Sequence, residues 1–222
     1  MSIFTDFWGW FTTGANWHGS DGIPARLSEH VQYCLLALAL ASAVGIPIGL
    51  LTGHFRRGGL AVTALSTAAR ALPTLGILYV LASYQPLAVF PVILVLAALG
   101  LPSILVNTYT GVVQADPDAV DAARGMGMRP SQVLLRVELP SALPLIWLGI
   151  RLAAFQVVST ATIAAFVSLG GLGNYIRFGL ATRDYPQVVG GAVLTVVLAL
   201  LSLLVVSLAA RLTVSKGIRA RS

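Results

Sequence analysis

Asp116-Pro117-Asp118-Ala119-Val120-Asp121-Ala122-Ala123-Arg124-Gly125-Met126-Gly127-Met128-Arg129-Pro130, continued by Ser131-Gln132-Val133-Leu134-Leu135-Arg136-Val137-Glu138-Leu139-Pro140, is the longest polar interruption in a chain otherwise built of apolar runs. Asp116 offers a carboxylate N-cap and Pro117 a proline at the first helical position, so a short helix is expected from Pro117 to about Arg124. Gly125 and Gly127 end it. Pro130 opens a second helical stretch in which Val133, Leu134 and Val137 recur at helical spacing, and Leu139-Pro140 is expected to close it before the next apolar run. The whole reads as a small helix-turn-helix outside a bilayer. Ala119, Ala122 and Ala123 leave a low-profile surface suited to a groove on another protein, while Gly127 allows a sharp turn or a close backbone approach to it. A plain solvated loop would not need this spacing.

Composition places the rest of the chain in lipid. Of 222 residues 57% are hydrophobic and only 10% charged, with a mean hydropathy of +0.86, far from the ~25% charge of soluble domains. That length has room for about five spans and their loops in one domain, and nothing in it suggests a soluble enzyme domain. The net charge of +6 does not mark a nucleic-acid binder, because the arginines stand between apolar runs rather than on one face. Cys34, the one cysteine, lies inside an apolar run and is expected to be a packed small residue, with no disulfide available.

The spans are expected at Val31–Thr52, Leu60–Ser83, Pro86–Val106, Ala142–Phe166 and Val188–Ala210, the second divided by Arg70 and Pro73 into an amphipathic entry and a shorter span. Arg56, Arg57, Arg70, Arg124, Arg129, Arg136, Arg211, Lys216, Arg219 and Arg221 account for ten of the 14 basic residues. These positions put the first gap, the long loop and the tail in the cytoplasm, with the N-terminus outside. The residues before Arg26 lack the basic start and apolar core of a cleavable signal. Phe4, Phe7, Trp8, Trp10, Phe11 and Trp17 suit an interfacial anchor better than a cation cage, since nothing in the sequence closes them into a box.

Several residues invite stronger readings than they support. Gly170-Gly171-Leu172-Gly173 follows no strand and precedes no P-loop lysine, so it reads as a tight external turn. His18, His30 and His54 have no metal-ligand spacing and are expected near headgroups; no metal site is expected. Glu138 is expected to pair with a nearby arginine, and no nucleophile–base set for catalysis is present. Arg70 and Arg151 lie within apolar runs, where charge is expensive, and read either as pathway or gate residues or as side chains reaching the interface. No acidic residue falls within the expected spans, which weighs against a proton-coupled carrier.

Asp121-Ala122-Ala123, Gly127 four residues later, and Val137-Glu138-Leu139-Pro140 resemble the cytoplasmic EAA loop of bacterial ABC-importer permeases, with Asp121 standing where that family usually has glutamate. Arg70-Ala71-Leu72-Pro73-Thr74 resembles an arginine-x-x-proline stretch in a pathway-lining helix of such permeases. Asn107-Thr108-Tyr109-Thr110-Gly111, Ala122 through Met128, and Gly170-Gly171-Leu172-Gly173 narrow the resemblance to osmoprotectant permeases, from about His30 to about Ala210. The resemblance implies an all-α type I ABC-importer permease fold in the bacterial cytoplasmic membrane, N-terminus outside and C-terminus cytoplasmic.

Residues 1–30 would form an external or interfacial segment, 31–210 the transmembrane permease domain with a cytoplasmic coupling loop at 107–141, and 211–222 a basic tail. Asp121, Ala122, Ala123, Gly127, Leu139 and Pro140 would couple to an ATPase; Arg70, Pro73, Thr74 and Arg151 would line or gate the pathway. Implied partners are two cytoplasmic ATP-binding subunits, a second permease subunit and an external solute-binding protein, with ATP and magnesium on the ATPase and no cofactor on this chain. The solute would be glycine betaine, choline or carnitine; alternatives are another small solute such as methionine, or an ion-coupled secondary carrier.

The charge count sets a testable topology. In a Cys34→Ala background, a cysteine at Ser131 should be shielded from a membrane-impermeant thiol reagent in intact cells, whereas one at Ser20 should label. Labelling at Ser131 from outside would invert the topology.

Overall fold

The computed structural model describes residues 3–71, 73–84, 88–167 and 169–214, and among them every regular element is helical. In chain order these are α1 (Ile3–Thr12), α2 (Ile23–His54), α3 (Gly59–Ala71), α4 (Thr74–Tyr84), α5 (Val89–Val113), α6 (Pro117–Gly125), α7 (Pro130–Val133), α8 (Leu139–Thr160), α9 (Gly173–Thr182) and α10 (Tyr185–Thr213). A π-helical turn, Leu134–Glu138, joins α7 to α8, and a 3-10 stretch, Ala161–Val167, extends α8.

Among the described residues four stretches are long and apolar enough to cross a bilayer: Ile23–His54, Val89–Val113, Pro130–Val167 and Tyr185–Thr213. The second expected span, Leu60–Ser83, divides into α3 and α4, of 13 and 11 residues, each shorter than the ~20 residues that a membrane requires. Pro73 causes the break: it has no N–H to give, and its own carbonyl instead receives Ile77 N–H at 3.0 Å as α4 begins.

Two expected boundaries move. α2 starts at Ile23 rather than Val31, with Pro24 in its first turn, so the limit set at residue 30 falls inside a helix and Glu29 and His30 belong to the same helix as the first expected span. Leu139-Pro140 does not close a helix but lies at the start of α8, where Leu139 N–H bonds the Leu134 carbonyl five residues back. Proline is tolerated there because the π-helical turn shifts the bonding pattern just before the residue that cannot donate.

The chain packs as two compact units. The first comprises Met1–Ala37, Pro73–Ala97 and Phe155–Ser202. Its core gathers Trp10, Ile23, Leu172 and Tyr175, the Trp10 and Tyr175 rings meeting edge to face at 5.1 Å and Trp10 lying against Gly190. Trp10 is thus a core residue rather than an interfacial anchor. Phe7, Trp8, Phe11 and Trp17 pack on one another at 5.0–5.9 Å between centroids, with no cage around an open site; the Phe4 side chain lies outside the described residues.

The second unit comprises Leu38–Leu72, Ala98–Ala154 and Leu203–Ser222. Gly45, Gly49 and Gly53 recur every fourth residue on one face of α2 and bring it against α5 at Ile104, Thr108 and Val112. Gly111 of α5 meets Ala142 of α8 in the same way, and Gly149 of α8 lies against Ser103 and Asn107. Cβ atoms added at Gly49 or Gly53 would fall 2.7 Å from the Cβ of Thr108 or Val112. Gly49→Val should therefore destabilise the protein by about 1–3 kcal/mol, the usual effect of overpacking, whereas Leu36→Ala, on an exposed face of α2, should shift the thermal midpoint in detergent far less. Equal midpoints for the two variants would remove the glycine face from the packing account.

Candidate functional site

The helix expected at Pro117 to about Arg124 is α6, and its ends are built as the local sequence dictates. Asp116 accepts the Asp118 N–H at 3.0 Å, and Pro117 occupies the first turn. At the other end Gly127 N–H bonds the Arg124 carbonyl at 2.9 Å and Met128 N–H bonds the Ala123 carbonyl at 3.2 Å. With Gly127 at φ 80°, these are the two bonds of a Schellman turn. The accompanying apolar contact is present as well, because Met128 packs on a cluster of Ala115, Val120, Ala123 and Val133. A Cβ at Gly127 would meet nothing within 4 Å, so the glycine answers a backbone requirement rather than a lack of room.

The cluster decides which face of α6 is presented. Ala119, Asp121, Ala122 and Met126 are exposed, while Ala123 is turned into the cluster and supports the outward face from beneath. The expected low-profile surface is correct for Ala119 and Ala122 and not for Ala123, because the i, i+3 spacing of Val120 and Ala123 assigns both to the packed side. Asp121 and Arg124 approach to 3.7 Å on the exposed side, a solvated pair of little energetic weight. Arg129 N–H bonds the Gln132 side chain at 2.8 Å as α7 begins. Leu139 and Pro140 are half-buried at the start of α8.

Among the described residues Glu138 pairs with a histidine rather than with the expected arginine. Its Oε2 lies 2.6 Å from His54 Nδ1 at the end of α2, both side chains being buried, so His54 is no headgroup residue either. The i, i+4 arithmetic that pairs neighbours along one helix is blind to a partner 84 residues away.

His30 is also buried. Its Nε2 lies 3.0 Å from the Val158 carbonyl, and its Nδ1 receives Leu172 N–H at 3.3 Å. Because Nδ1 accepts, the ring is neutral and Nε2–H donates. Beside it Glu29 Oε2 accepts from Gly171 N–H at 2.8 Å and from Arg26 at 2.9 Å, and Arg26 also pairs with Asp21. Gly170-Gly171-Leu172-Gly173 is the expected tight turn, with Gly171 at φ 90°, and it is anchored on α2 by these side chains. Only His18 remains exposed. Glu29 and Glu138, outside the apolar limits expected for the spans, lie toward the polar ends of long helical stretches, each with a partner.

The proposed pathway residues are not gathered into one site by the described contacts. Arg70 belongs to α3, but its side chain lies outside the described residues; Pro73 is exposed and Thr74 is half-buried at the start of α4. Arg151 is exposed on α8 and borders a 90 Å³ cavity with Trp147, Leu148 and Ser207. A larger cavity of 410 Å³ belongs to the first unit, lined by Phe155, Ser159, Thr162, Ile176, Thr195 and neighbouring apolar residues. Ser159 and Thr195 turn their hydroxyls back onto carbonyls of their own helices at 2.9 and 2.8 Å. Among the described residues no cluster could hold a metal ion.

Residues 45–219 match the family described as binding-protein-dependent transport system inner membrane component. A choline transport system permease protein of Bacillus subtilis is 31% identical over 191 residues, 86% of this chain and 88% of that protein. A glycine betaine/carnitine/choline transport system permease protein of the same organism is 31% identical over 194 residues, covering 87% and 89%. A carnitine transport permease protein of Listeria monocytogenes is 33% identical over 172 residues, covering 78% and 79%. The methionine ABC transporter in an inward-facing conformation has the same fold, with a TM-score of 0.72 over 85% of this chain and 94% of that one at 20% identity.

The Schellman turn makes a local prediction. Gly127→Val places a β-branched residue at positive φ, at a penalty of about 1–2 kcal/mol, and should speed amide exchange of Gly127 and Met128 about tenfold. Gly127→Asn, which tolerates this conformation, should change it much less. Equal exchange in the two variants would show that the turn is not what holds the end of α6.

Proposed function

The chain belongs to the family of binding-protein-dependent transport system inner membrane components, and on that premise we propose that it forms the translocation pathway of an ATP-driven importer for quaternary-ammonium osmoprotectants such as glycine betaine, choline or carnitine. The solute class rests on the three permeases that are 31–33% identical over most of their length. The coupling role rests on one geometric observation: α6 is capped at both ends by its own residues and holds Asp121 and Ala122 outward on a packed base. Such a helix enters a partner's groove without first having to order itself.

In this reading Asp121, Ala122 and Gly127 meet a cytoplasmic ATPase, with Ala123, Leu139 and Pro140 holding the segment in place. Two such ATPases carry ATP and magnesium, a second permease subunit, identical or related, completes the pathway, and an external binding protein delivers the solute. This chain hydrolyses nothing and holds no cofactor. Arg70, Pro73, Thr74 and Arg151 are kept as pathway or gate residues: Pro73 and Thr74 stand at a helix break, and Arg151 is a charge within a spanning segment.

A methylated cation is best held by several aromatic faces. Phe155 is the one aromatic ring lining the 410 Å³ cavity, and the hydroxyls there are bonded to backbone. Solute choice accordingly resides in the external binding protein, and the membrane pathway is weakly selective. The test is uptake competition among betaine, choline, carnitine and methionine by the reconstituted complex. Phe155→Ala and Tyr79→Ala should change rate far more than preference. A reordered preference with the binding protein unchanged would place recognition in this chain, and uptake of methionine alone by the wild type would overturn the solute class.

A further inference from the structure

Glu138 is the one buried carboxylate among the described residues, at 5% exposure. Its Oε2 lies 2.6 Å from His54 Nδ1, a contact that an imidazole N–H makes by donating to the carboxylate. Without that donor the carboxylate would be stranded in a poorly solvated place. The pair is therefore a closed polar contact in otherwise apolar packing.

Its position in the chain gives it a role beyond packing. Glu138 is the last residue of the π-helical turn that joins α7 to α8, and His54 is the last residue of α2. π-Helical turns store an extra residue and occur at sites where a helix changes register. Neighbouring contacts in this region, Gly53 on the Val112 side chain and Gly111 on Ala142, are close packing of small and apolar groups. Apolar surfaces slide with little directional preference, whereas a buried hydrogen bond holds one geometry.

We propose that His54 and Glu138 are a positioning pair that carries movement of the α6–α7 segment into α2, with the π-helical turn as hinge and the buried hydrogen bond as the link that makes α2 follow. The pair touches neither nucleotide nor solute. This inference rests on the importer reading above, because only an attached ATPase would move α6.

The experiment uses the full complex of permease, ATPase and binding protein in proteoliposomes and reads the ratio of ATPase rates with and without solute-loaded binding protein, alongside uptake. His54→Leu combined with Glu138→Met removes both polar groups and strands neither, so its thermal midpoint should be no lower than that of the wild type. Its ratio should nevertheless fall by about fivefold or more, with uptake falling alongside. Glu138→Gln keeps an acceptor and His54→Asn keeps a donor near the position of Nδ1; each should stay within about twofold of the wild type. His54→Leu alone strands Glu138 and is the harsher variant; where the double variant does not assemble, it should lose the response that His54→Asn keeps. A double variant that responds like the wild type, or a His54→Leu that matches His54→Asn, would reduce the pair to packing and overturn the inference while leaving the importer reading intact. A wild-type complex that responds to none of betaine, choline, carnitine and methionine would overturn the importer reading, and the inference with it.

Discussion

A bilayer offers no hydrogen-bonding solvent, so every polar group carried into it must find its partner within the protein. That constraint accounts for most of the side-chain chemistry in this chain. Thr52, Ser66, Ser159 and Thr195 each donate to the carbonyl four residues back in their own helix. Groups too large or too charged for that solution reach across the fold instead: His30 to α8 and the glycine turn, Glu29 to Gly171, and Glu138 to His54. Each such link fixes a loop or helix end that apolar contact alone would leave free to slide.

The same division separates what the sequence discloses from what it conceals. α6 was legible because its determinants are local: a capping carboxylate, a proline after it, and a glycine two residues beyond the helix. The break at Pro73 and the turn at Gly171 were legible for the same reason. The partners of His30 and Glu138 were not, since they lie 128 to 142 and 84 residues away and no periodicity links them. Leu139-Pro140 was misread because proline usually ends a helix, whereas here a π-helical turn absorbs its missing donor. α2 was drawn too short because hydropathy marks the apolar part of a helix and misses the polar turn around Arg26 and Glu29.

Glycine serves two separate physical ends in the two cases that matter most. At Gly127 the surroundings are open and φ is positive, so what is excluded is a conformation rather than a volume. At Gly49 and Gly53 the backbone is ordinary helix, and what is excluded is the Cβ itself. The first kind is read from a helix end followed by glycine, the second from glycines spaced by four in an apolar run.

The carboxylate at position 121 draws these threads together. Aspartate in place of glutamate shortens the reach by one methylene, which would weaken a contact made from a receding surface. Here the shortening has little to act upon, because Val120 and Ala123 hold the helix on a packed base and Asp121 stands clear of it at 77% side-chain exposure. Its neighbour Arg124, at 3.7 Å, is too solvated to hold the carboxylate back from a partner. The protein thus carries its outward carboxylate on a rigid, locally specified helix and its buried one, Glu138, on the hinge behind it. A displacement at the first can reach the second along the α7 segment and through Val137 of the π-helical turn, which packs directly on the cluster of Val120 and Ala123.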